Sequence, residues 1–337
     1  MHLIECNSVN EALSKGLDLM SEHGEEVSSR NGMTLEVPAP VATVYHQPAN
    51  RVLISSARDA NPFFHLMEAL WIIAGREDVA FLNEFNKRMV EYSDNGETFN
   101  APYGYRVRNH FGMDQIDLVI RTLKQDKSSR QAVLQIWDPV DLGRPTKDKA
   151  CNMQVVFRVR SGKLDMIVYN RSNDMIWGAY GANVVQFSIL QEYVAAHLDL
   201  PMGTYTQVSN SFHVYTEGPG GEVLHRVKEG YDKTYNPYDH VHTRVSMTRA
   251  DIDSIELDLK MFFITYDRHG LRGVANIKSW NSLYFEHLVM PMLQVYMQHK
   301  EFGPEVAIAN IQHIKAEDWQ LAAICWLDER IARRSAK

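Results

Sequence analysis

Residues 62–75 read PFFHLMEALWIIAG, a run that is apolar on nearly every helical face, opened by a proline and closed by a glycine. Such a helix has no side to offer water, so the rest of the chain must wrap around it. At 337 residues with 45% apolar side chains, the chain is large enough to do so. That composition excludes disordered and collagen-like classes. Glu68, inside the run, is an ionisable group where little water is expected, and it is therefore a functional candidate.

Helical periodicity predicts a helix over residues 9–22, ending near Gly24, and an amphipathic helix over 114–126. The segment 28–38 reads as a loop entering a strand. RQAVLQIWDP (130–139) reads as a strand bounded by Pro139, and residues 152–172 as two strands joined by a Ser161-Gly162 hairpin turn. A long helix over 182–198 follows a glycine-bearing loop, and residues 204–215 form another strand. Residues 252–266 and 282–298 mix strand and helix character. The segment 316–334 is a helix with basic residues in its last turn, as its dipole prefers. Pro219-Gly220-Gly221 reads as a surface loop. With no internal repeat, low-complexity tract or Pro/Ser-rich linker, the expectation is one α+β domain over 1–337.

The charge balance, 35 basic against 42 acidic side chains for a net −7, argues against a nucleic-acid coat or an anionic-membrane binder. It leaves room for a local arginine pocket that takes a small anionic substrate. Three scattered cysteines without a C-x-x-C pair fit a reducing compartment. No leader-like segment and no membrane-length apolar run is seen, so the expected setting is the cytoplasm.

Cys151 stands after the charged loop RPTKDKA and just before a strand. It is either a small buried hydrophobe or a nucleophile kept as thiolate by nearby arginines, and position alone does not choose. Arg171-Ser172-Asn173-Asp174 closes a strand ahead of the loop WGAYGAN, an arrangement suited to a phosphate dianion; a solvated turn with a capping side chain is the plain alternative. His213-Val214-Tyr215 places two polar rings on one side of a strand, apt for hydroxyl contacts and equally common in ordinary half-buried strands. Only a fold decides whether Arg30, Arg130 and Arg171 converge. His110, His197, His240 and His242 lack metal-ligand spacing, so no metal is expected.

In order, Arg30, Glu68, Pro102-Tyr103-Gly104, Ser129-Arg130, Cys151, Arg171-Ser172-x-Asp174, Gly178, Asn183 and His213-x-Tyr215 span residues 25–220, and the series resembles the thymidylate synthase superfamily. The resemblance implies an α+β fold on a large twisted mixed sheet that pairs with its twin in a homodimer, with a divergent helical extension from about residue 250. It implies a pyrimidine nucleoside monophosphate as substrate and 5,10-methylenetetrahydrofolate as one-carbon donor. Cys151 would add to C6 of the base, and Glu68 and Tyr103 would manage proton transfers. Arg30, Arg171 and Ser172, with Arg130 from the partner subunit, would hold the phosphate. Asn183 and Asn152 would face the base, and His213 and Tyr215 the sugar. Asp174, Gly178, Met89 and Tyr92 would meet the folate.

The departures concern the product. Asn152 follows the nucleophile where a histidine is usual, and Gln131 replaces a second arginine. No tryptophan occurs at residues 88–92, and the chain ends in a basic helix rather than a short apolar tail. A looser or wetter site favours water over hydride at the C5 methylene, so 5-hydroxymethylation is favoured over methylation. Asn183 favours uracil, without excluding cytosine; ribose against deoxyribose stays open. A catalytically silent nucleotide- or RNA-binding relative, and a cysteine hydrolase, are the readings from other classes.

Overall fold

In the computed structural model, residues 1–335 are described. The strands β1 (His2–Cys6), β2 (Glu25–Ser29), β3 (Gly32–Val37), β4 (Val41–Tyr45), β5 (Val133–Gln135), β6 (Asn152–Arg160), β7 (Lys163–Asp174) and β8 (Met202–Tyr215) form one sheet. The main order is β1-β4-β8-β7-β6-β5, with β3 on β8 and β2 on β3. The pairs β1/β4 and β7/β8 are parallel and the others antiparallel. The sheet is therefore mixed, as expected of an α+β fold. The hairpin between β6 and β7 forms at the predicted turn: Ser161 and Gly162 both have positive φ (49° and 74°), the two-residue form whose twist matches the strands it joins.

The helices are α1 (Val9–His23), α2 (Pro62–Ile73), α3 (Val79–Phe85), the single turn α4 (Tyr103–Tyr105), α5 (Gln115–Gln125), α6 (Asn183–Leu198), α7 (Gly218–Gly230), α8 (Ile252–Ala275), α9 (Met290–Phe302), α10 (Pro304–Ala309) and α11 (Glu317–Ser335). Every residue of α2 is buried. It starts cleanly because Asn61 accepts the Phe64 amide and Pro62 needs no amide partner in the first turn. α6 packs against α2 on one side and β7 and β8 on the other, while α9 and α11 cover the remaining flanks of α2.

Three expectations change. Residues 25–29 are a strand, pairing with β3 across a tight turn rather than a loop leading to it. The Pro219-Gly220-Gly221 stretch opens α7, because a proline in the first helical turn loses no hydrogen bond. The segments 252–266 and 282–298 carry no strand. They are helical because Phe262, Phe263, Phe285 and Leu288 fall on faces that pack together, whereas a strand would turn alternate residues away. Buried Asp258 of α8 accepts the Asn281 and Ser282 amides and the Ser282 hydroxyl, tying α8 to the chain that leads into α9.

Candidate active site

A cavity of about 230 Å³ opens between α2, α6 and the segment 89–103, lined by Glu68, Trp71, Met89, Tyr92, Phe99, Tyr103, Asp148, Asn183 and Gln186 among others. α2 supplies Glu68 and, one turn on, Trp71; α6 supplies Asn183 and, one turn on, Gln186. Glu68 is 8% exposed. Its Oε2 accepts the Gln186 Nε2 amide at 2.6 Å, which favours the carboxylate, but burial is the larger effect and lifts its pKa to about 7. The group is thus divided between acid and base near neutrality. Tyr103 is pushed far above the normal phenol range by burial and by the neighbouring Cys151, so it stays a neutral hydroxyl.

Cys151 sits where β6 begins, beside β7. The Arg171 guanidinium donates to the carbonyls of Ala150 (2.8 Å) and Lys149 (3.0 Å) and lies 3.7 Å from the Cys151 sulfur. Of the two readings left open for this thiol, both find support: the arginines act to lower its pKa, and its surroundings are largely buried. Burial dominates and raises its pKa; Arg171 and Arg30 oppose the rise, while Asp148 and Asp174 add to it.

Register explains the next cluster. β7 and β8 run side by side with Ser172 opposite Ser211 and Asp174 opposite His213. His213 Nδ1 is 3.2 Å from the Ser211 hydroxyl, and the His213 and Tyr215 rings meet edge-on at 5.6 Å. Asp174 Oδ1 caps the helical segment after β7 by accepting the amides of Ile176 (2.8 Å) and Trp177 (2.6 Å), and its Oδ2 is buried without a partner. Burial raises its pKa.

Asn183 is oriented by a chain of amides. Gln207 Nε2 donates to the Ala179 carbonyl (2.9 Å), Asn173 Nδ2 donates to Gln207 Oε1 (3.0 Å), and Asn183 Nδ2 donates to Asn173 Oδ1 (3.0 Å). A backbone carbonyl can only accept, so every amide in the series has its polarity fixed. Asn183 keeps one N–H and one oxygen for a ligand, in a set orientation. Asn152 Nδ2 points at that oxygen from 3.5 Å, and the buried Asn152 Oδ1 has no partner. Gly178 packs against this relay: a Cβ there would stand 2.7 Å from Asn173 Oδ1 and 3.2 Å from Asn183 Nδ2.

Arg30 is exposed, in the β2–β3 turn, with its charge felt at Cys151. Arg130 is not part of this cluster. The Arg158 guanidinium donates to the Ser129 carbonyl at 2.8 Å, which places Arg130 beside residue 158 of β6. At about 3.3 Å per residue that is on the order of 20 Å from Cys151 along the strand. Met89 and Tyr92 line the cavity.

Sequence reading missed Asp148, Gln186, Trp71 and the Asn173–Gln207 relay. Gln186 and Trp71 each fall three residues after a residue already singled out, the spacing that puts two side chains on one helix face. Asp148 carried no such signal. For a folate the fit of the cavity is favourable: Trp71, Phe99 and Tyr92 offer flat apolar walls. Among the described residues no helix is long and apolar enough to cross a membrane.

A family model described as thymidylate synthase matches residues 14–271. A deoxyuridylate hydroxymethyltransferase of Pseudomonas phage M6 is 39% identical over 353 aligned positions, covering 100% of this chain and 97% of that protein. A protein of the same name from Bacillus phage SP01 is 39% identical over 230 positions, 64% of this chain and 60% of its own length. A putative thymidylate synthase of Methanosarcina barkeri is 30% identical over 215 positions, covering 63% of this chain and 89% of its own. In fold, the chain is similar to the crystal structure of thymidylate synthase from T4 phage, with a TM-score of 0.50 at 22% identity over 60% of this chain and 76% of that one.

Proposed function

The chain belongs to the thymidylate synthase family, and from that premise we propose that it places a hydroxymethyl group on C5 of deoxyuridine 5′-monophosphate. The observation that carries this reading is the polarised amide of Asn183, which meets Asn152 (next in sequence to Cys151) and lines the same cavity as Glu68. An amide locked in one orientation discriminates between uracil, which offers N3–H and O4, and cytosine, which offers the reverse pattern. Similarity over the full length to a phage protein named for deoxyuridylate selects uracil.

Arg171 and Ser172 hold the phosphate, with Arg30 closing from the β2–β3 turn, and this remote binding energy sets C6 of the base over the sulfur. His213 and Tyr215 take the sugar hydroxyl. The Cys151 thiol loses its proton and bonds to C6, which makes C5 nucleophilic. Trp71, Phe99, Met89 and Tyr92 would hold 5,10-methylenetetrahydrofolate, which would supply the CH2 unit that C5 takes up. Glu68 accepts the C5 proton, helped by the neutral Tyr103 hydroxyl. Loss of the C5 proton and departure of tetrahydrofolate leave a methylene at C5; water then adds to it, and Cys151 leaves as the C5–C6 double bond re-forms.

The working unit is a homodimer in which Arg130 of each chain enters the other's phosphate pocket. Arg130 lies too far along the sheet to serve its own Cys151, and the sheet face carrying Val156, Ile167, Tyr169 and Val208 is only half buried in the single chain. Each chain is one domain, and the helices from about residue 250 are an extension of this branch. The family match ends at residue 271, whereas the Pseudomonas phage relative matches the whole chain. The reaction takes place in cytoplasm, that of the host if the chain is phage-encoded like these relatives.

Product analysis tests the reading. With the folate donor, dUMP is expected to gain CH2O and leave tetrahydrofolate, and dCMP to be a poor substrate. Thymidylate with dihydrofolate would overturn hydroxymethylation, and equal use of dCMP would overturn the role given to the amide relay.

A further inference from the structure

We propose that Asp148 is the general base that takes the proton from the water adding to the C5 methylene, and so commits the reaction to a hydroxymethyl product. The inference rests on the hydroxymethylation reading above and assigns a residue to its last bond-forming step.

Asp148 lines the same cavity as Glu68, Tyr103 and Asn183. It is held from three directions. Its Oδ2 accepts the Ala101 amide at 2.7 Å, its amide donates to the Thr146 hydroxyl at 3.1 Å, and its carbonyl accepts the Asn100 side-chain amide at 3.1 Å. No side-chain donor among the described residues occupies the carboxylate, so a lone pair is left for a water in the cavity. A residue anchored at its backbone and through one carboxylate oxygen, with spare accepting capacity, meets the geometric requirement for a general base.

Two protons leave the reactants, one from C5 and one from the attacking water, and the two folate nitrogens freed by the transfer take up two. With the C5 proton assigned to Glu68, the water proton is the one that Asp148 is placed to take. In the step assigned to Asp148, the water oxygen bonds to the methylene carbon and its proton passes to the carboxylate. The methylene π electrons move into the ring as an enolate. The enolate then re-forms the C5–C6 double bond and expels the Cys151 thiolate, and the Asp148 proton returns to solvent. No oxidant or reductant is needed. Burial makes the carboxylate more basic than usual; the Asp94 charge adds to this, whereas the Ala101 amide and the Arg106 charge oppose it.

The plain alternative is that Asp148 only anchors the Ala101 amide. Asp148→Asn keeps an acceptor oxygen for that amide and removes the basicity. Asp148→Ser is carried alongside, and the comparison uses whichever variant binds dUMP calorimetrically as tightly as the unmodified chain. Hydroxymethyl formation is expected to fall about 10²-fold or more. A single turnover of C5-tritiated dUMP should still release its tritium, and denatured protein should carry a covalent nucleotide adduct by mass spectrometry. Tritium release and product falling together without an adduct would overturn the assignment, as would an unchanged product rate or loss of dUMP binding in both variants. If the unmodified chain makes thymidylate and dihydrofolate, the parent reading fails. If it hydroxymethylates and Asp148→Asn does too at full rate, only Asp148 is dismissed.

Discussion

Glu68 shows how function and stability pull against each other at one residue. Its pKa rises from 4.5 in a free chain to about 7 in the fold, so between those values the native state binds more protons than the unfolded state. Stability from this site is therefore intact below pH 4.5 and declines as pH rises to 7. The cost above that window is up to about 3 kcal/mol, from 1.36 kcal/mol per pKa unit. Glu68→Gln should accordingly raise the melting temperature more at pH 8 than at pH 5, while lowering turnover by about 10²-fold or more. It should also remove an ionisation near pH 7 from the kcat/KM profile. A melting gain that does not vary with pH would show that the carboxyl is not buried neutral. Cys151 presents the same conflict: the burial that raises its thiol pKa also shields the nucleophile from bulk water.

Among the elements, α3 makes the link between the cavity and the C-terminal helices. Phe81 meets Phe263 at 5.0 Å and Tyr266 at 4.9 Å on α8, and Phe85 meets Tyr296 of α9 at 4.8 Å. Leu82 of the same short helix lines the cavity, with Met89 just beyond it. At seven residues α3 is too short to hold its shape alone, so its position is set by those rings. Phe263→Ala should cost about 3 kcal/mol in urea unfolding. With the wall loosened, KM for the folate donor should rise more than KM for dUMP. Equal rises would mean that α8 supports the whole site rather than this wall. α11 is anchored elsewhere: Arg330 and Arg333 both pair with Asp59, next to buried Arg58.

For the whole molecule the decisive question is whether two chains share a pocket. If Arg130 works across the sheet face, Arg130→Ala and Cys151→Ser are each inactive as homodimers for different reasons. Mixing them should create hybrids with one intact pocket, built from the Cys151 of one chain and the Arg130 of the other. Co-refolding equal amounts is expected to restore up to about a quarter of unmodified activity, since half the dimers are hybrids with one working site. No recovery in verified hybrid dimers would show that each pocket is complete within one chain.

Local chemistry in the sequence was enough to determine much of this protein. The wrapped helix α2 was legible because an all-apolar 3.6-residue pattern has one low-energy fate. The Ser161-Gly162 hairpin was legible because few residues tolerate positive φ, and the neighbourhood of Cys151, Arg171 and Asn183 followed from an ordered series of residues. Tertiary structure alone decided what depends on distance through space. It brought Asp148 to the cavity of Glu68, set Gly178 against the amide relay, and made burial outweigh two arginines at Cys151. Such outcomes rest on the dielectric and the neighbours that a side chain meets only after strands far apart in sequence lie side by side, and no local pattern encodes those.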